Sequence, residues 1–222
     1  GETKYIVAST INPIGRPAKK LFEEELERRA SLLRTLPLRS KIARDLTLAA
    51  DQFIVKRQNK TLSIIAGYPW FTDWGRDSMI ALSGLCLTTG RISDAKSILE
   101  TFLNHMQDGL IPNLFPNGTD KPMYNTIDAT LWMFVAIYRY LQRSEDKNFI
   151  RKIAYHKLKE SIELHLKGTI FNIHTNEKGL LEGGNEKVQL TWMDAKIGDY
   201  VVTPRNGMAV EINALWINAL RI

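Results

Sequence analysis

Apolar residues recur at helical spacing along most of the chain, and two kinds of helical stretch alternate. The first, "PAKKLFEEELERRASLLRTL" (17–36), sets Leu21, Phe22, Leu26, Ala30 and Leu33 on one stripe, which predicts an amphipathic helix. Pro17 stands just ahead of it, where proline is tolerated, and Pro37 closes it. A second helix is expected over 40–55, with Ser40 as its N-cap. "SMIALSGLCLTTG" (78–90) is apolar nearly all round and ends at Gly90, a C′ glycine. "ISDAKSILETFLNHMQ" (92–107) is amphipathic, with a cap near Ser93. Residues 128–143 are again apolar on every face, residues 146–168 are amphipathic, and 208–220 open one more helix. The long connections are 60–77, which starts with a short β-branched run, then 108–126, and 174–207, which has room for a small hairpin.

Helices that are apolar all round need neighbours on every side, whereas amphipathic ones need cover on one face only. Their alternation predicts an all-α fold of stacked helical hairpins in two concentric layers, an (α/α)6 toroid. About seven helices are expected here and a closed ring of six hairpins has twelve, so residues 1–222 are expected to form roughly half a barrel, as one domain. No short repeat recurs, so each hairpin is individually specialised.

Composition changes this picture little. The chain has 222 residues, 44% of them apolar, enough for a sizeable core. No run approaches the roughly 18 uninterrupted apolar residues of a membrane span. The net charge of +6 invites a nucleic-acid reading. However, residues 1–60 carry 13 Lys and Arg against 7 Asp and Glu, while the remaining 162 residues carry 17 of each. The excess is interleaved with "EEELE" and reads as a solvated helix face, so no nucleic-acid partner is expected. Cys86 is the sole cysteine and lies in an apolar run, which suits a buried small side chain and a cytoplasmic setting. The four histidines stand apart without metal-ligand spacing, and no phosphate-cradling glycine loop occurs, so neither metal nor cofactor is expected.

Candidate chemistry lies in the loops. Each connection ahead of an apolar helix sets a carboxylate beside tryptophan: "PWFTDWGRD" (Trp70, Asp73, Trp74, Arg76, Asp77), "YNTIDATLW" (Tyr124, Asp128, Trp132) and "TWMDA" (Trp192, Asp194). Tryptophan faces stack on the C–H faces of sugar rings, and carboxylates and arginine bind sugar hydroxyls. There is a plainer account for several of them. Asp77 and Asp128 stand where helices begin and would serve equally as caps. Trp132 and Trp216 sit at core spacing. Asp194 starts no apolar period, and capping accounts for it poorly.

"AGYPWFTDWGRDSMIALSGL", "GLIPNLFPNG", "YNTIDATLW" and "TWMDAKIGDYVVTPRNGMAVEINALW" together resemble the C-terminal amylo-α-1,6-glucosidase domain of glycogen debranching enzymes, in their bacterial or archaeal form, from about Asn59 to Ile222. The resemblance implies an (α/α)6 barrel that removes the single α-1,6-linked glucose at a trimmed branch point of glycogen or limit dextrin, with inversion. It implies that Asp194 is the general acid and that Arg76 and Asp77 grip hydroxyls of the terminal glucose. Trp74, Asp128, Trp132 and Trp192 are implied as further walls, and Glu211 as an orienting or sugar-binding group near the acid. A tryptophan wall and neighbouring negative charge would both favour a neutral acid at Asp194. Met208 departs from the family, where a basic residue is commoner. The larger departure is the family's general base, a glutamate in a "GPEW"-like motif, which these residues lack. The chain is therefore expected to be a piece of a longer enzyme, to lack activity alone, and to self-associate through uncovered apolar faces. A glucoamylase- or trehalase-like glycosidase and a non-catalytic glucan-binding fragment are the alternatives.

Overall fold

The computed structural model describes residues 2–9, 15–57, 61–115 and 121–222. Asn59, where the resemblance starts, and residues 116–118, the end of "GLIPNLFPNG", lie outside these. The described chain is mostly helical. Helix α1 (Ala18–Thr35) and α2 (Lys41–Asp51) form the first hairpin, and the Ser40 side chain accepts from the Ala43 amide at 3.1 Å, as expected of its N-cap. The arginines of α1 are matched along the helix and to its neighbour. Arg29 pairs with Glu25 and Arg34 with Glu27, while Arg28 bridges Glu25 and Asp51 of α2. That matching fits a solvated helix face. The apolar stripe of α1 is covered only partly, since none of its residues is buried and Phe22 and Leu26 are half exposed.

The expected tail of the second helix is a strand instead. Ile54–Lys56 (β1) pairs antiparallel with Leu62–Ile64 (β2). Two adjacent β-branched residues, Ile54 and Val55, lose less rotamer freedom there than in a helix. Strand β3 (Asp73–Trp74) pairs with β4 (Leu114–Phe115) and runs directly into α3 (Gly75–Leu82). Helix α3 thus begins before Ser78, and "GRD" is its first turn rather than loop. Gly75 is required there, because a Cβ would stand 2.2 Å from the Pro112 carbonyl oxygen and 3.3 Å from the Ala129 methyl. The helix continues as a π-helical turn over Ser83–Leu87, and Gly90, at φ +82°, ends the segment against the α1 C-terminus.

Helix α4 (Ile92–Asn104) starts one residue ahead of Ser93, so Ser93 lies inside the first turn and Arg91 takes the cap position, its side chain bonding Asp94 and Asp51 rather than capping a helix amide. Helix α5 (Asp128–Ser144) and the run from α6 (Lys147–Phe149) through a π-helical turn (Ile150–Ala154) to α7 (Tyr155–Lys167) stand close to their expected limits. The last connection holds two hairpins, β5 (His174–Thr175) with β6 (Leu181–Glu182) and β7 (Lys196–Ile197) with β8 (Tyr200–Val201). Helix α8 (Val210–Ala219) follows.

Helix α5 packs against α3, α4 and α8 and divides the apolar interior in two. On one side, Ala129, Met133, Ile137 and Tyr140 join residues of α3 and α4. On the other, Leu131 and Phe134 meet Ile212 and Trp216 of α8 with Ile173 and Leu181 of the hairpin region. Over Ala129–Ile137 the helix lies between two cores and has little surface to give to solvent, which explains the apolar run there, whereas Tyr138, Arg139, Gln142 and Arg143 beyond it are exposed. The second core is pinned by polar contacts. The Asn213 amide bonds the main chain of Leu181 in both directions, at 2.8 and 2.9 Å, and Trp216 donates to the Gly179 carbonyl at 3.2 Å. Cys86 is fully buried and burial pushes its thiol up to about 12, as a packing residue rather than a nucleophile.

Candidate active site

One carboxylate from each of the three motifs, Asp77, Asp128 and Asp194, lies about the N-termini of α3 and α5. Because α3 begins at Gly75, Arg76 falls in its first turn, where its side chain is directed at α5 and at the loop after β6. Its Nε donates to Asp128 Oδ2 at 3.0 Å. Its Nη1 and Nη2 both donate to Asp194 Oδ2, at 3.1 and 2.9 Å, and Nη2 also reaches the Thr191 carbonyl at 3.3 Å. One guanidinium thus ties the start of α3 to a residue 118 positions further along the chain. Its planar fork of donors suits two carboxylates at once, which an ammonium would not.

Asp128 is almost fully buried behind Arg76. Burial pushes its carboxyl above the ordinary range; Arg76 opposes this, as do bonds from the Thr126 hydroxyl and the Ala129 amide, while the Asp194 charge adds to the rise. The cap of α5 is shared with Thr126, whose hydroxyl accepts from the Ala129 amide at 3.2 Å and donates to Asp128 at 2.8 Å. Asp77, at the third position of α3, is exposed, and the helix has no side-chain cap bond. Among the described residues it makes no hydrogen bond, so its carboxylate is free for a ligand.

Asp194 differs from both. About a third of its side chain is exposed, and all its bonds among the described residues go to Oδ2, leaving Oδ1 open. The segment before it is fixed where the Ile127 amide meets the Leu190 carbonyl at 2.9 Å, and the segment after it enters the β7–β8 hairpin through Val202 and Ala195. The surroundings of Asp194 include a cation that the loop spacing did not place there: Arg76 spans two aspartates instead of standing apart beside Asp77. Asp194, Arg76 and Asp77 line a cleft of about 300 Å3 with Trp74, Trp192, Ala66 and Phe71. A larger hollow of about 430 Å3 lies elsewhere, between Pro37, Leu87 and Arg139, and has neither a carboxylate nor a tryptophan.

The remaining sequence candidates fall outside this cleft. Trp132 is partly buried against the α3–α4 side of the core. Glu211, in the first turn of α8, holds Arg205 through both its oxygens, and Arg205 Nη1 rests 3.8 Å from the sulfur of Met193, the neighbour of Asp194. Glu211 is therefore two side chains removed from the acid candidate. Asp73 is buried and paired with Arg57, which lies 4.5 Å over the Phe115 ring. Phe71 and Ala66, which also line the cleft, carry no sequence signal beyond the aromatic crowding of "YPWF". Among the described residues no group of three His, Cys, Asp or Glu is placed to hold a metal, and no helix is long and apolar enough to cross a membrane.

Together these features define a mostly helical domain whose loops line an acidic, aromatic-walled cleft over the N-termini of α3 and α5. A family model described as amylo-alpha-1,6-glucosidase matches residues 48–222, reaching further back than Asn59 into α2. The glycogen debranching enzyme of Saccharomyces cerevisiae is 32% identical over an alignment of 218 residues, covering 72% of this chain and 14% of the yeast protein. The chain belongs to the amylo-alpha-1,6-glucosidase family. It spans about one seventh of the length of that relative.

Proposed function

We propose that this chain supplies the acid half of an inverting glucosidase site that releases α-1,6-linked glucose from trimmed branch points of glycogen or a similar glucan. The observation that carries the reading is Asp194, with one oxygen held by Arg76 and the other open to a cleft walled by Trp74 and Trp192. A proton on Oδ1 leaves the Arg76 contacts to Oδ2 in place and points the acid at the ligand. As that proton passes to the glycosidic oxygen, the bond from C1 breaks and its electron pair stays on the departing sugar. Water attacks C1 from the opposite face and gives its proton to a base about 6.5–9.5 Å from the acid. Asp77 and the tryptophans bind the terminal glucose, and Asp128 holds Arg76 in place from behind.

The carboxylates gathered here are Asp77, Asp128 and Asp194, and each is occupied in this scheme. The base is therefore a carboxylate outside this group, set opposite Asp194 in an (α/α)6 ring to which residues 1–222 contribute one part, and these residues alone turn over no branched dextrin. Family membership and the far greater length of the yeast relative support this.

The test is Asp194→Asn in the full-length enzyme. Release of glucose from a limit dextrin should fall by roughly 10²–10⁴-fold, the usual worth of general acid catalysis. Fluoride departs without a proton, so α-glucosyl fluoride should lose much less. Equal losses on both substrates would make Asp194 a binding residue and end this reading of it.

A further inference from the structure

Beside the cleft, residues 66–72 form a loop that is stiff and almost entirely apolar. Its ends are joined by the Ala66 amide and the Thr72 carbonyl at 2.9 Å, and within it the Phe71 amide meets the Gly67 carbonyl at 3.0 Å. The Tyr68 hydroxyl donates to the Gln52 carbonyl at 2.8 Å, and its ring packs 6.2 Å from that of Phe53 at the end of α2. A loop tied in this way loses little freedom on binding a ligand. Yet its aromatic residues stay in solvent: Trp70 is 82% exposed, Tyr68 58% and Phe71 52%. Among the described residues Trp70 has no packing partner of its own, and Tyr68, Trp70 and Phe71 together make an exposed apolar patch of the kind that marks a binding site.

The loop's position suggests the task. Ala66 and Phe71 line the cleft that holds Asp194, so the surface carrying Trp70 continues outward from that cleft. No residue of 66–72 is charged, in a chain with 54 Lys, Arg, Asp and Glu together, which suits a neutral ligand. We propose that the 66–72 loop, through Trp70, is a stacking platform for the glucan on the leaving side of the scissile bond. It holds the linear chain that bears the branch, while the cleft holds the terminal glucose. This rests on the reading of the cleft given above and adds to it a determinant of chain length. Indole faces and the C–H faces of glucose rings match without hydrogen bonding, so the platform selects extended α-glucans over single sugars.

The experiment separates the two sites by probe. Calorimetry on this chain measures a branched limit dextrin, which spans both, and 1-deoxynojirimycin, a glucose-shaped cation that fits the cleft alone. Trp70→Ala should weaken the dextrin about tenfold and leave the small cation unchanged. Trp70→Tyr should restore most of the loss. Because the side chain is exposed, thermal midpoints should not move, which rules out a structural cause. Equal dextrin affinity in wild type and Trp70→Ala overturns the platform. If the wild type binds the cation but gains nothing from the longer glucan, the platform fails while the cleft reading stands. If Trp70-dependent dextrin binding appears without cation binding, the cleft reading fails and the platform stands. A wild type that binds neither probe ends both.

Discussion

His165 is 1% exposed, stacked 5.8 Å from the Trp216 ring at 20°, and its Nδ1 donates to the Ser161 carbonyl at 2.7 Å. Its Nε2 is buried with no partner among the described residues. Burial pushes the imidazole below its ordinary value, with the Ser161 contact opposing in part. Above about pH 6.5 the ring is neutral in folded and unfolded chains alike. As pH falls below that, the unfolded chain takes up a proton that the folded one refuses, and stability is lost. Urea midpoints followed from pH 8 to pH 5 should therefore fall, and His165→Gln should fall less steeply. Parallel slopes would remove His165 from the account. Individual residues were legible to different degrees. Asp194 stood out because it began no helix, and the structure leaves it open to the cleft. The partnership of Arg76 with Asp128 and Asp194 was not legible, since it depends on where α3 begins and on contacts between residues far apart in sequence.

Elements were legible where their period was strong. Helices α1 and α5, and the run from α6 to α7, stand near their expected limits because long amphipathic or uniformly apolar runs leave little choice. Local chemistry misled where two signals competed. The β-branched end of the expected second helix joins β1, and the start of α3 moves forward because β3 delivers the chain directly into a helical turn. Gly75 marks that junction. Gly75→Ala sets a methyl against the Pro112 carbonyl, so either the "PNLF" strand or the first turn of α3 must give way. The expected cost is about 1–3 kcal/mol, as for other overpacked positions. Because Arg76 and Asp77 follow directly, affinity for 1-deoxynojirimycin should fall with it. Urea unfolding and calorimetry on one preparation check both halves. An unchanged midpoint would mean that the junction has slack.

At the scale of the molecule, the mostly helical character was visible in the hydrophobic pattern, but the four small hairpins and the cover of individual faces were not. Phe22 and Leu26 of α1, and Ile42 and Leu46 of α2, are half or more exposed on one hairpin. Sedimentation at tens of micromolar should show this chain associating with itself, and Ile42→Glu with Leu46→Glu should shift it toward monomer. A monodisperse wild type would show that these faces tolerate water. The division of the interior by α5 carries a different consequence. A partition held by both rooms cannot be lost from one alone: loosening Trp216 on one side removes a support from Met79 and Phe102 on the other through the same backbone. Two adjoining cores that would otherwise melt separately are thus bound into one cooperative unit, with α5 the last segment whose amides should open to solvent exchange.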